Sequence, residues 1–137
     1  MAYLVGVVLA FAVCAMATIV GLDRDRAFYP TVTMVIASYY GLFAVMGGST
    51  RALMQESIAI TAFLVVAIVG FKSNLWLIVV ALAAHGAFDF IHGNVIVDPG
   101  VPRWWPAFCL AYDVVTAAYL AALLLRAKIA ASAPVGR

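Results

Sequence analysis

Five apolar runs of 16–20 residues set the terms for this chain: 3–22, 31–46, 53–71, 75–92 and 106–125. About 20 apolar residues in a helix cross the hydrocarbon core of a bilayer. Lipid offers no hydrogen bonds, so each crossing must satisfy its own backbone, which a helix does. The pattern predicts an all-α integral membrane bundle of five transmembrane helices, forming one domain over 1–137. The breaks between runs are short and carry turn chemistry. They are Asp23-Arg24-Asp25-Arg26, Gly47-Gly48-Ser49 and Lys72-Ser73-Asn74. A longer loop, Asn94 to Trp105, contains Asp98-Pro99-Gly100 and leads into Pro102-Arg103-Trp104-Trp105-Pro106. Its prolines oppose helix, and the Trp pair suits a membrane interface.

Charge supports the same reading. Only eight Lys/Arg and six Asp/Glu occur in 137 residues, whereas 67% are hydrophobic. Soluble domains are roughly 25% charged. So few charges exclude a soluble enzyme, a disordered tail and a basic-patch nucleic-acid binder; no nucleic-acid partner is expected. The first run has Ala15-Met16-Ala17, which resembles a signal cleavage site, but no Lys or Arg precedes it, so it reads as a retained helix. Cys14 and Cys109 fall inside runs and read as buried thiols.

Five crossings place the termini on opposite sides. One side collects Arg24, Arg26, Lys72, Arg126, Lys128 and Arg137; the other has Arg51 and Arg103. The positive-inside rule then predicts the C-terminus in the cytoplasm, the N-terminus outside, and the Trp-rich loop on the outer face. The Asp23–Arg26 break reads as a solvated turn at headgroup level. Ala37, Gly41, Ala44 and Gly48 share one face of the second helix, as Ala117, Ala118, Ala121 and Ala122 do on the fifth. Such faces allow close helix packing, within the chain or in a homo-oligomer.

Against this background, five ionisable residues inside the runs stand out: Glu56, His85, Asp89, His92 and Asp113. Each costs several kcal/mol in lipid unless it faces the bundle interior and is partnered. His85, Asp89 and His92 are spaced four and three, so they fall within about 60° of arc on one helix face and span ~10 Å of height. With the predicted directions of the helices, Glu56 lies about one turn below the outer boundary and Asp113 about two turns. All five then share the outer half of the membrane. Cys109, Asp113 and Thr116 share a face on the fifth helix. No Lys or Arg lies within a run, so the carboxylates must be protonated, paired with charged histidine, or bound to a cation. Arg51 and Arg103 could reach in from the boundary.

Three uses fit such a set. Two histidines with one to three carboxylates form the ligand set of catalytic zinc, and of iron or manganese sites. Chains of Asp, Glu and His also line proton and cation pathways. The third use is a hydrogen-bond network that only ties helices together. The first leads to a membrane-embedded, metal-dependent enzyme of hydrolase type acting on a lipid or apolar substrate. There His85, Asp89 and His92 are the expected ligands of a divalent metal, zinc first and iron or manganese behind it. Asp113 or Glu56 would complete the shell or act as general base. The alternatives are a proton or divalent-cation transport or channel subunit, and an accessory subunit of a larger complex. Tyr39 and Tyr40 are secondary candidates, with a backbone carbonyl the expected partner of a buried tyrosine hydroxyl. Gly86 and Gly93 beside the histidines would let a helix or ligand come close.

The stretches 23–30 (DRDRAFYP), 85–93 (HGAFDFIHG) and 99–106 (PGVPRWWP) resemble a family of small, uncharacterised bacterial multi-pass membrane proteins. The resemblance covers most of the chain and implies a bacterial cytoplasmic (inner) membrane location, without specifying an activity. In chemical type the cluster also resembles membrane zinc hydrolases of the alkaline ceramidase and progestin-receptor-like group, which use three histidines and an Asp. Only His85 and His92 are present here, so Asp89, Asp113 or Glu56 would take the third place.

Overall fold

Each apolar run folds into one helix: α1 Ala2–Val20, α2 Phe28–Met46, α3 Thr50–Lys72, α4 Trp76–Val95 and α5 Trp105–Leu125. The computed structural model describes residues 1–133; Arg137 lies outside the described residues. At 1.5 Å per residue these helices are about 28–35 Å long, and all five are apolar enough to cross a membrane. The chain is thus a five-helix, multi-pass membrane protein by length and composition.

The helix ends follow from local chemistry. Gly21 closes α1 in the left-handed conformation (φ +88°), and its N–H bonds to Ala17 at 2.8 Å. Ser49 caps α3 by accepting from the Ala52 N–H at 3.1 Å. α2 begins at Phe28, ahead of the expected Thr31, because a proline is tolerated anywhere in the first turn, where N–H groups have no helical partner. α4 runs three residues past His92, through Gly93.

α1 packs on α5, α5 on α4, and α4 on both α3 and α2, which also pack together. Small residues set these contacts. A Cβ on Gly6 would collide with the Phe108 carbonyl of α5, and one on Gly41 would come within 2.9 Å of Ile60 of α3. Ala37 and Ala44 are buried as well, whereas Gly48 is exposed. The small face of α2 is therefore used largely inside the chain. At Gly86 a Cβ would touch the Asp113 Cβ at 3.4 Å, so α4 and α5 approach closely beside the candidate residues.

The two ends of the bundle differ. One carries the N-terminus and the α2–α3 and α4–α5 loops, and is called the Trp end here. Trp105 packs edge-on to Phe43 and Tyr39, with ring centroids 4.8 and 5.1 Å away. Trp104 stays exposed. The other end carries the α1–α2 and α3–α4 loops and the residues after α5. There the expected solvated turn is not found: Asp23 and Arg26 are buried, and only Arg24 and Asp25 face out. The reason is a set of backbone carbonyls that need donors. The Arg26 guanidinium donates to Ala130, to Ala131 at 2.7 Å and to Phe71 at 3.2 Å. Burial draws its pKa below the ordinary arginine value. Asp23 accepts from the Thr18 hydroxyl at 2.7 Å. The segment after α5 pairs with the α3–α4 turn through Leu75 N–H to Ala131 (2.8 Å) and Ala133 N–H to Ser73 (2.9 Å).

Candidate metal centre

α4 is the spine of the site. Its i, i+4, i+7 spacing puts His85, Asp89 and His92 on one face, and packing against α2, α3 and α5 buries that face. α3 supplies Glu56, α5 supplies Asp113, and both carboxylates are fully buried. The five residues singled out by sequence therefore do converge on the bundle interior.

They do not form a single cluster. His85 Nδ1 lies 2.7 Å from Asp113 Oδ2 and 3.4 Å from Asp89 Oδ2. Tyr40, from α2, donates its hydroxyl to Asp89 Oδ1. Cys109 Sγ is 3.9 Å from Asp113 Oδ2, one helical turn away on the same face of α5. One turn toward the Trp end, His92 Nε2 meets Glu56 Oε1 at 2.6 Å as a separate pair. The Tyr40 ring stacks on His92, with centroids 4.0 Å apart and planes 19° apart, and so joins the two groups. Phe63 and Phe88 wall the imidazoles: Phe63 lies 4.8 Å from His85, and Phe88 lies 5.5 Å from His92.

The donor set differs from the expected one accordingly. One donor atom each from His85, Asp89, Cys109 and Asp113 lies within 4.8 Å of the others, and all four residues are buried. His92 is not among them, and neither is Glu56. Two residues seven apart on a helix stand ~10 Å apart along its axis. His85 and His92 thus share a face but not a height, and one ion cannot sit between them. Cys109 takes the place the sequence reading gave to His92. Its signal was the i, i+4 spacing to Asp113, which was legible but was read as ordinary burial of a thiol. Both cysteines are free and buried. Tyr40 was expected to bond a carbonyl, and bonds a carboxylate instead. Tyr39 packs on Trp105 at the surface. Thr116 donates to the Tyr112 carbonyl at 2.7 Å and takes no part.

Charge is unbalanced in this interior. Three carboxylates face two imidazoles, and Arg51 and Arg103 are exposed and pair with none of them. Three carboxylate oxygens are buried without a partner: Asp89 Oδ2, Asp113 Oδ1 and Glu56 Oε2. A buried ion left so is costly, and the arrangement calls for an added proton or cation. Four donors with one imidazole, two carboxylates and one thiol fit a tetrahedral divalent ion.

Two cavities touch the cluster from different directions. One of about 400 Å³ lies between α1, α2 and α5; its walls include Leu9, Val32, Ile36 and Tyr112, and Cys109 borders it. The other, about 230 Å³, opens at the Trp end among His92, Gly93, Asp98 and Arg103. Comparison with family models, curated proteins and solved structures finds no match.

Proposed function

We propose that this chain is a membrane-embedded, metal-dependent enzyme of hydrolase type acting on a lipid or other apolar substrate. His85, Asp89, Cys109 and Asp113 hold the ion in this reading. The observation that carries it is the convergence of those four buried donors within 4.8 Å, two of them with an unpartnered oxygen. The thiol favours zinc over manganese, since soft sulfur ligands select zinc. A bound ion would supply Lewis acidity and an activated water. Tyr40 would orient the Asp89 carboxylate, as outer hydrogen bonds do for metal ligands. Glu56 is the carboxylate left outside the donor set, and serves as an acid–base group through His92. The apolar cavity bordered by Cys109 is the proposed route for substrate. The excess of Lys and Arg at the Arg26 end orients the protein with the Trp end outside, in a bacterial cytoplasmic membrane.

The test is elemental analysis of purified protein, with zinc supplied and then removed by gel filtration. About one ion per chain is expected, falling to background in His85→Ala and Cys109→Ala. His92→Ala should keep its ion, which separates this donor set from one that includes both histidines. A wild-type protein that retains no metal overturns the proposal. The linked side chains Tyr40, Asp89, His85 and Asp113 favour a second reading, a proton or divalent-cation transport or channel subunit. That reading predicts ion flux in liposomes that Asp89→Asn abolishes.

A further inference from the structure

The Glu56–His92 pair is left unexplained by the donor set, although it is buried and its contact is short. Its placement is specific. Along α4 the order is His85, Asp89, His92, running from mid-helix toward the Trp end. His92 lines the cavity at that end, together with Asp98 and Arg103 of the α4–α5 loop. Tyr40 covers the inner face of His92 with its ring and gives its hydroxyl to Asp89. Among the described residues, His92 and Glu56 are the only buried ionisable groups on the Trp-end side of Asp89.

We infer that His92, held by Glu56, is the group through which the His85–Asp89–Asp113 cluster exchanges protons with the aqueous phase at the Trp end. The groups facing His92 are Glu56 from α3, Tyr40 from α2 and Asp89 on α4 itself; Asp98 and Arg103 border the cavity beyond it. An imidazole suits this place because it takes a proton on one nitrogen and releases one from the other. The Glu56 carboxylate balances the charge while the ring is doubly protonated, so no uncompensated cation forms in the bundle. One proton enters from the cavity for each proton passed inward, and nothing is oxidised or reduced. Any chemistry at the cluster that consumes or releases protons then has a polar exit separate from the apolar cavity at Cys109.

The inference concerns the same site as the proposed enzyme but needs no metal, so it is tested on chelator-treated protein in liposomes. Infrared spectroscopy follows deuteration of the buried carboxyl groups after transfer to heavy water, with Asp113→Asn assigning the cluster's band. His92→Phe keeps a ring on Tyr40 but carries no proton; His92→Gln keeps a hydrogen bond to Glu56 but cannot relay. Exchange should slow at least roughly tenfold in both. Gly93 borders the same cavity and has open space about its Cβ position, so Gly93→Trp plugs the mouth without touching the pair. It should slow exchange as well, which keeps the test decisive if the His92 variants do not fold. Val32→Trp, which fills the apolar cavity, should leave the rate unchanged. Wild-type exchange in folded His92→Phe or Gly93→Trp overturns the inference, and so does slowing by Val32→Trp. A metal-free protein whose exchange depends on His92 sinks the metal proposal and leaves this one standing.

Discussion

At the end of the bundle opposite the tryptophans, Arg26 is buried with its guanidinium on three backbone carbonyls. Midway along α4, His85, Asp89 and Asp113 are buried with two carboxylate oxygens that meet no donor. Both places remove charge from water, yet only the first finishes the job with the chain's own atoms. A buried charge that is fully satisfied is what a structural joint needs: Arg26 ties the α1–α2 loop to the end of α3 and to the segment after α5. A buried cluster left short of partners is costly, and it persists where something else completes it. The difference separates a joint from a site, even though both would count equally as ionisable residues in a membrane protein.

Four substitutions put that contrast under strain. The largest effect is expected on metal content. His85→Ala or Cys109→Ala should lower bound zinc from about one per chain to background, whereas Arg26→Met should leave it unchanged in whatever protein remains folded. Zinc loss in Arg26→Met at full helicity would break the distinction. Next in size is the stability cost of Arg26→Met. Three carbonyls lose a charged donor, each such bond being worth about 1.5–3 kcal/mol with incomplete recovery by water, so unfolding should ease by about 3–5 kcal/mol. Denaturant unfolding in detergent measures it. A smaller effect is expected from Tyr40→Phe, which deletes the hydroxyl on Asp89 and keeps the ring on His92. Zinc affinity should fall roughly tenfold to a hundredfold, the usual cost of losing a hydrogen bond to a metal ligand, as read by competition with a chelating dye. The smallest effect sharpens the comparison most. In metal-free protein, Asp113→Asn keeps an acceptor for His85 but removes a buried charge. Its stability should change by less than about 1 kcal/mol, against the much larger loss at Arg26. A cost at Asp113 as large as that at Arg26 would make the cluster a second joint.

The sequence made much of this legible. Run lengths located five helices to within a few residues, and the 4-3 spacing on α4 put three ionisable groups on one buried face. The converging depths of Glu56 and Asp113 were also readable, because a helix of known rise fixes height once its direction is assumed. Two things were not. The Asp23–Arg26 break looked like a solvated turn because four charges in a row ordinarily are one; only the carbonyls of Phe71, Ala130 and Ala131, distant in sequence, turn Arg26 inward. Cys109 looked like a filler of apolar space, because spacing along α5 does not reveal which residue of α4 stands opposite.

What the sequence alone determined is the kind of molecule and the list of costly residues. Helix length and hydropathy are properties of each segment by itself, and lipid enforces them one helix at a time. What the tertiary structure decided is how the list divides. Whether His85 meets Asp113 or Glu56 depends on the rotation and offset of three helices about one another, set by close contacts such as Gly86 on Asp113 and Gly6 on Phe108. That offset pairs His92 with Glu56, brings Cys109 to His85, Asp89 and Asp113, and leaves two carboxylate oxygens without a donor.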